Sequence, residues 1–366
     1  MLSCPMIEIP LDLGERRCLI SVGHGIADSL PEILPEWRDR AFVVVSSPRI
    51  WKAHGRRLSR SLSRMGTLSL CLLPEGERHK TLSGLNRVYE HFIEAGLARD
   101  GLVVAFGGGV VGDMAGFAAA TYMRGVGFLQ VPTTLLAMVD SAIGGKVGVN
   151  HPRGKNLVGA FYQPTSVIVD PTFLATLPAR EFRSGLYEIL KCGIIGDADL
   201  FRTLTHRTPD PRAWSRVDLE GVIAAACQLK AKVVENDERE RGPRRVLNLG
   251  HTLGHALEAA TGYRRFAHGE AVGWGILGAA WIARTRGLLP RGSFEGIRAA
   301  IERLGKRPPV ADIPRQTVLD ALSRDKKKHE GRVPFILPRA IGRVTIRSDV
   351  ERGEVLGALR FLAASA

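Results

Sequence analysis

Short apolar runs recur through the first half of the chain, at residues 18–22, 41–45, 68–72, 102–106, 128–131 and 166–169, each rich in Val, Ile, Leu or Phe. Runs of that length predict strands covered on both faces. Between several of them the apolar positions change to helical spacing, as at 82–95. Strand and helix in alternation predict a parallel sheet with crossover helices. Beyond about residue 180 the pattern changes. Residues 181–193, 220–236, 251–261, 269–285 and 292–304 predict helices separated by polar or Pro/Gly breaks, and 344–346 is weakly strand-like.

The run 102–106 leads into Gly107-Gly-Gly-Val-Val-Gly-Asp113 and then a small-residue segment at 114–120. Gly107, Gly109 and Gly112 match G-x-G-x-x-G, and a strand, glycine turn and helix in that order suit a pyrophosphate on a helix N-terminus. The acidic residue expected about twenty positions on is missing, since that region reads Gln130-Val-Pro-Thr-Thr134. The run also follows several strands, so it is not the ordinary dinucleotide fingerprint. A tight packing turn is the competing reading. No G-x-x-x-x-G-K-[ST] is present, which argues against a P-loop nucleotidase. The expected architecture is an α/β N-terminal domain with a parallel-rich Rossmann-like sheet over residues 1–180, then a mainly α-helical C-terminal domain over residues 181–366, joined near 178–183.

Composition narrows the function classes. A length of 366 residues allows two domains with cores of their own, and a hydrophobic content of 45% fits a globular chain. The uncharged apolar runs near 125–139 and 271–283 are too short to span a bilayer, and the first contains Gln130 and Pro132. No N-terminal stretch has the order of a signal peptide. The expectation is a cytoplasmic protein without a membrane partner. Five cysteines, at 4, 18, 71, 192 and 227, show no Cys-x-x-Cys, which argues for a reducing compartment and against a disulfide framework. The net charge of +14 raises nucleic-acid binding, but the basic residues are scattered, and Tyr and Trp number only five each. Lys326-Lys327-Lys328 is the one dense run. A basic surface with a site for a small anion fits better than a nucleic-acid partner.

The chemistry concentrates in the second half. Glu188 lies in Ser184-Gly-Leu-Tyr-Glu-Ile-Leu-Lys191, His251 and His255 in Asn248-Leu-Gly-His-Thr-Leu-Gly-His255, and His268 in His268-Gly-Glu270. On a helix, His251 and His255 share one face. One carboxylate with two or three imidazoles suits zinc, cobalt or manganese. Thr252 stands where the zincin motif has its general-base Glu, so that protease class is excluded. The competing reading is a helix cap and a satisfied core imidazole. Glycines 250, 254 and 269 favour the metal, because they permit close backbone approach. Farther upstream, Lys146 and Lys155 each follow glycine in what reads as loop, within Asp140-Ser-Ala-Ile-Gly-Gly-Lys-Val-Gly-Val-Asn-His-Pro-Arg-Gly-Lys-Asn156. Lysines on glycine-rich backbone suit an anionic ligand.

At this point the chain resembles the 3-dehydroquinate synthase family. The resemblance is carried by Glu75-Gly-Glu-Arg-His-Lys80, the glycine run, Met123-Arg-Gly125, Val131-Pro-Thr-Thr134, Gly144-Gly-Lys146, Gly154-Lys-Asn156, Gly159-Ala-Phe-Tyr-Gln-Pro164, Thr176-Leu-Pro178, Asp237-Glu-Arg-Glu240, residues 248–255, His268-Gly-Glu-Ala-Val272 and Arg324-Asp-Lys-Lys327. It covers nearly the whole chain. It implies a lyase using NAD and one divalent metal ion, zinc or cobalt. Its substrate is a small anionic sugar phosphate, 3-deoxy-D-arabino-heptulosonate 7-phosphate. The products are 3-dehydroquinate and phosphate, reached through oxidation, phosphate elimination, reduction, ring opening and intramolecular aldol closure in the shikimate pathway of aromatic amino acid biosynthesis.

By the same resemblance Glu188, His251 and His268 are metal ligands, and His255 is a non-ligand histidine with a proton-transfer or phosphate-contact role. Lys146, Asn156, Lys191, Asn248 and one or more of the 324–327 lysines, Lys326 and Lys327, meet substrate phosphate or hydroxyls. Lys230 and Arg244 match the grip on the substrate carboxylate, and Asp140 meets its hydroxyls. Arg124 reaches the neighbouring subunit's site in a homodimer. The NAD contacts implied are Glu75, Gly76, Glu77, Arg78, His79 and Lys80; Gly109, Val110, Val111, Gly112 and Asp113; Thr133 and Thr134; Lys146 and Lys155; and Phe173, Leu174, Ala175 and Thr176. For Thr133, Thr134 and Thr176, loop or helix capping is the competing role. The chain departs from the family pattern at Ala142 and Val147, where Ser and Thr are usual, at Ser46 and Ser47, where an acid facing the adenosine is usual, and at Cys192, where an aromatic is usual. Two other readings stay open: a related sugar-phosphate cyclase with another substrate, and a metal-dependent polyol dehydrogenase.

Overall fold

The computed structural model describes residues 6–14, 16–326 and 333–365. Along the chain the first half forms strands β1 (Ile7–Leu13), β2 (Arg16–Val22), β3 (Arg40–Ser46), β4 (Gly66–Leu72), β5 (Leu102–Gly107), β6 (Gly127–Pro132), β7 (Lys146–His151), β8 (Gly154–Phe161) and β9 (Ser166–Val169). Between them lie helices α1 (Leu30–Ile33), α2 (Pro48–Ile50), α3 (Arg56–Leu62), α4 (Leu82–Glu94) and α5 (Gly109–Thr121). Then come α6 (Ala179–Gly196), α7 (Ala198–Thr205), α8 (Arg216–Asn236), α9 (His251–Ala260), α10 (His268–Thr285), α11 (Arg291–Arg303) and α12 (Arg315–Lys326). The chain closes with β10 (Phe335–Ala340), β11 (Arg343–Arg347) and α13 (Arg352–Ala364).

Seven strands make one sheet in the order β1-β2-β9-β6-β5-β3-β4, parallel throughout except for the antiparallel β1–β2 pair. The expected apolar runs fall on β2, β3, β4, β5, β6 and β9. Every residue of β5 and β9 is buried, as a parallel strand covered on both faces requires. β1 was not in the expected set. It alternates apolar and polar residues but carries Pro10, which a strand tolerates at a sheet edge, where β1 lies.

The glycine-rich stretch around Lys146 and Lys155, expected as loop, is instead the antiparallel hairpin β7–β8. Its glycines serve close approach. Gly148 pairs with Gly159, and a Cβ on Gly159 would lie 2.2 Å from the Val147 carbonyl oxygen. Val147 and Val149 are buried in the cluster that also holds Val43, Phe92, Met114, Ala118 and Phe128.

Two compact units result: Met1–Leu177 with Ser215–Arg239, and Pro178–Trp214 with Glu240–Ala366. This corrects the expected division into 1–180 and 181–366 in one respect. Helix α8 belongs to the sheet unit, because its stripe of Leu219, Val222, Ile223, Ala226, Ala231 and Val234 is buried where the helix packs on β1 and β2. Ser215 accepts a hydrogen bond from the Asp218 amide at 3.1 Å and starts that helix. The other unit is mainly helical, with the β10–β11 hairpin as its only sheet among the described residues.

In that unit small residues set the helix separations. A Cβ on Gly275 of α10 would lie 1.8 Å from the Gly250 carbonyl oxygen at the start of α9, and one on Gly269 would lie 2.1 Å from the Ser184 carbonyl oxygen of α6. These contacts leave no room for a methyl group. Gly275→Ala is therefore expected to lower stability by about 1–3 kcal/mol or more, the usual cost of overpacking, read as a shift of the denaturant midpoint. An unchanged midpoint would show that the two backbones are not held this closely.

Candidate active site

The helical unit gathers the predicted metal residues. Helix α6 is buried almost throughout, and Glu188 and Lys191 on it are 1% and 2% exposed. α9 begins at His251 after Gly250, whose φ of 82° turns the chain into the helix. His255 follows one turn later on the same face, and α10 begins at His268. The ligand atoms of His251, His255 and His268 all lie within 4.8 Å of one another. Glu188 Oε1 stands 3.5 Å from His268 Nε2 and 3.9 Å from His251 Nε2. The Lys191 ammonium forms an ion pair with Glu188 Oε2, yet neither carboxylate oxygen accepts a hydrogen bond of ordinary geometry. A buried carboxylate without such bonds, facing imidazole nitrogens, fits a divalent cation. His255 is exposed, unlike Glu188.

Arg244 lies nearby in sequence on a short turn, Pro243–Asn248, and is 2% exposed. Asn248 donates to Glu240 Oε1 at 2.6 Å. Glu240 has a left-handed backbone, with φ 55°, which a non-glycine residue seldom adopts. In the sequence Glu240 stands out only as the last residue of Asp237-Glu-Arg-Glu240, and its backbone conformation is what singles it out. Glu258 was likewise not foreseen. It is buried, with Oε1 3.7 Å from His268 Nδ1.

In the sheet unit the predicted NAD residues share one edge. Residues 75–80 follow β4, Gly109–Asp113 follow β5, Thr133 and Thr134 follow β6, and Phe173–Thr176 follow β9, all beyond the carboxyl ends of parallel strands. That edge is where open α/β sheets bind ligands. The N-cap of α5, Gly108, supplies no side-chain cap, so the first-turn amides are available to an anion. Beside them Thr133 Oγ1 and Ser141 Oγ are buried without hydrogen-bond partners. A Cβ on Gly109 would lie 3.0 Å from that Ser141 oxygen. Two orphaned hydroxyls at a glycine turn fit a phosphate-bearing cofactor. Thr134 caps, accepting from the Ala137 amide at 3.2 Å.

Lys80 is 3% exposed, pairs with Asp113 and donates to Asn156 Oδ1 at 2.5 Å. Asn150 joins the same network, donating to Glu77 Oε1 at 2.7 Å and accepting from the Asn156 amide at 2.9 Å. Lys230 is buried on α8, ion-paired to Asp140 and donating to the Asp140 carbonyl oxygen at 2.7 Å. Lys146 is exposed at the first position of β7, and Lys155 is half-buried on β8. Val111, Phe173 and Leu174 are core side chains, whereas Glu75, Gly76, Arg78, Ala175 and Thr176 are exposed. Gly112 would bring a Cβ 2.9 Å from Gln130, and Val110 is half-buried. Thr176 Oγ1 lies 2.7 Å from His54 Nε2, and His79 Nε2 accepts from Arg78 Nε at 2.9 Å.

Of the departures, Ala142 and Val147 are buried, and Val147 packs where a Cβ on Gly116 would meet it at 2.4 Å. Ser46 donates to the Phe106 carbonyl oxygen at 2.8 Å, and Ser47 accepts from the Ile50 amide at 3.5 Å. Arg124 is exposed on a run of left-handed residues, Met123, Arg124 and Gly125, with φ of 47°, 65° and 123°. Lys327 lies outside the described residues. Lys326 is the last residue of α12, and its side chain also lies outside them.

Residues 70–184 match the family described as 3-dehydroquinate synthase N-terminal, and residues 185–328 the one described as 3-dehydroquinate synthase C-terminal. A 3-dehydroquinate synthase of Nostoc punctiforme is 45% identical over 349 residues, covering 93% of this chain and 96% of the relative. Among solved structures, 2-deoxy-scyllo-inosose synthase complexed with carbaglucose-6-phosphate, NAD+ and Co2+ superposes with a TM-score of 0.88 at 26% identity, covering 97% of this chain and 99% of that one. The 2-epi-5-epi-valiolone synthase of Streptomyces hygroscopicus, with NAD+ and Zn2+ bound, gives 0.86 at 28% identity, with the same coverage. No helix among the described residues is long and apolar enough to cross a membrane.

Burial pushes the Asp113 carboxyl up to about 6, against the opposing pull of the Lys80 ammonium. A carboxyl raised in the folded state stabilises the fold below its unfolded pKa, and that contribution is lost as pH rises through the folded value. Stability attributable to Asp113 is therefore expected to fall between about pH 4 and 6. Asp113→Asn should flatten that part of the profile of denaturant midpoint against pH. An unaltered slope would count against a shifted Asp113.

Proposed function

The chain belongs to the 3-dehydroquinate synthase family, and on that premise we propose that it converts 3-deoxy-D-arabino-heptulosonate 7-phosphate into 3-dehydroquinate and phosphate as a carbon–oxygen lyase. The reading draws its strongest structural support from Glu188, a buried carboxylate without ordinary hydrogen bonds that faces two imidazole nitrogens at 3.5 and 3.9 Å. When bound, NAD supplies reversible hydride acceptance at the substrate C5 hydroxyl, and a divalent ion lowers that hydroxyl's pKa and polarises the resulting carbonyl.

The chain's own residues supply the rest. Glu188, His251 and His268 would hold the ion, with the carboxylate buried and the two imidazoles half-buried, which leaves an approach for substrate. His255, exposed beside them, is free of the burial that fixes Glu188 and is suited to moving a proton to or from the departing phosphate. Lys146, Asn156, Lys191 and Asn248 are the proposed contacts to substrate phosphate and hydroxyls. Arg244 and Lys230 grip the substrate carboxylate, where a planar guanidinium matches two oxygens. Asp140 holds the Lys230 ammonium in line and contacts a substrate hydroxyl. Lys326 and Lys327 complete the phosphate contacts. The turn at Gly109–Asp113, with Thr133, cradles the NAD pyrophosphate, and residues 75–80 and 173–176 flank it. By family resemblance the protein works as a homodimer in which Arg124, exposed in this chain, enters the neighbouring subunit's site. The reaction belongs in the cytoplasm with the rest of the shikimate pathway.

A carboxylate grip by Lys230 and Arg244 would distinguish this substrate from those of other sugar-phosphate cyclases. The purified, metal-loaded protein given the heptulosonate phosphate and catalytic NAD is expected to release phosphate and form dehydroquinate in equal amounts. Net NADH accumulation from a polyol, with no phosphate release, would refute this. Glu188→Ala and His268→Ala should each remove bound metal and activity together, and stoichiometric metal retained by either variant would contradict its role. Arg244→Ala should weaken apparent substrate affinity at least about tenfold, equivalent to about 1.4 kcal/mol. An unchanged KM for the heptulosonate phosphate would exclude the carboxylate grip.

A further inference from the structure

Arg180, Ser184 and Glu188 are four residues apart along α6, so they lie on one face of the helix. Each meets one residue of the first turn of α10, in reverse order. Arg180 Nε donates to Glu270 Oε1 at 2.9 Å and its Nη2 to Glu270 Oε2 at 2.6 Å. Ser184 Oγ accepts from the Gly269 amide at 2.9 Å. Glu188 Oε1 then stands 3.5 Å from His268 Nε2. Glu270 is 3% exposed, and its Oε2 also accepts from the Ala267 amide at 2.8 Å. Arg180 Nη2 donates in addition to the Arg265 carbonyl oxygen at 2.9 Å. The backbone on both sides of His268 is thus tied to α6.

We propose that Arg180 and Ser184 are positioning residues for the metal centre. They fix the register of α10 against α6, and so the separation of the Glu188 carboxylate from the His268 imidazole. Neither touches the ion. The inference rests on Glu188 and His268 being ligands. The magnitudes explain why register needs such a device. A slip of one residue moves a side chain about 1.5 Å along the helix and turns it by roughly 100°, whereas metal–ligand distances tolerate about 0.2 Å. Glycine packing alone sets how close the helices come, and it leaves sliding along the axis to be stopped by these directional bonds. The Arg180 side chain is 49% exposed but that of Glu270 only 5%, so removing Arg180 costs some stability as well as register, and the Arg286 control below separates the two effects.

The test compares Arg180→Ala, Arg180→Lys and Ser184→Ala with the parent protein in zinc affinity by chelator competition, in the visible absorption of the cobalt-loaded protein, and in melting of the metal-free protein. Arg180→Ala and Ser184→Ala are expected to raise the zinc Kd about 10–100-fold and to alter the cobalt spectrum, and each also lowers the metal-free melting temperature, because Glu270 and the Gly269 amide lose a buried partner. Arg180→Lys, which keeps one bond of the pair, should recover part of the affinity. Arg286→Ala is the control. It breaks the two-bond pair with Glu354 and the bonds to Asp349 at the far end of α10, and it should lower the melting temperature without changing zinc affinity or the cobalt spectrum. Parent-like zinc affinity and cobalt spectrum in both clamp variants would overturn the proposal, as would an equal loss of affinity in Arg286→Ala. Glu188→Ala separates the two levels. If it abolishes zinc binding while the clamp variants bind normally, only the positioning role fails. If it binds zinc as the parent does, the ligand assignment fails and the positioning role with it.

Discussion

The helical unit depends on a few places where two backbones touch without a side chain between them. Gly275 against the Gly250 carbonyl and Gly269 against the Ser184 carbonyl are contacts that even one methyl group would break. They let α6, α9 and α10 come close enough for a carboxylate on the first and imidazoles at the starts of the other two to share one small volume. Glycine is costly within a helix, roughly 1 kcal/mol relative to alanine. Its presence at these positions makes sense only if close approach returns something the apolar core does not need. What it returns is a buried carboxylate held against imidazole nitrogens, an arrangement that favours a divalent cation.

The sheet unit reaches its chemistry by a different route. Parallel strands end together, so loops that are distant in sequence emerge side by side. The turns after β4, β5, β6 and β9 are up to about a hundred residues apart, yet they form one edge, with the uncapped amides of α5 and two unpaired hydroxyls along it. The β7–β8 hairpin is bound to that edge through Asn150, Asn156 and Lys80. This ties lysines at 146 and 155 to the same scaffold. The proposed cofactor contacts of this unit are therefore carried on strands, short turns and helix ends rather than on long free loops, which holds them in place.

Much of this was legible in the chain. Strands buried on both faces announce themselves as unbroken apolar runs, and the i, i+4 histidines announce a shared helix face. Other parts were not. Pro10 hid β1, because proline argues against a strand unless the strand is already known to be an edge. The glycines of β7 and β8 read as loop, because composition does not distinguish a glycine that turns the chain from one that lets two strands approach. Helix α8 shows its apolar stripe plainly, but a stripe does not say which surface it will cover, and it covers the sheet. Arg180, Glu240 and Glu258 are ordinary charged residues in sequence. Only the fold brings Arg180 to Glu270, Glu258 to His268 and Glu240 to Asn248. Roles that depend on a neighbour distant in sequence are invisible until the fold supplies that neighbour, and the family resemblance stood in for it at Glu188, Lys230 and Arg244.

The central claim is that one divalent ion is held by Glu188, His251 and His268, with His255 left outside its coordination. Anomalous diffraction from crystals of the zinc-loaded protein tests it most directly. The account expects a single peak about 2.0–2.2 Å from a Glu188 oxygen and from one nitrogen each of His251 and His268. A peak coordinated by the three histidines with Glu188 out of reach, or one lying elsewhere in the molecule, would contradict it.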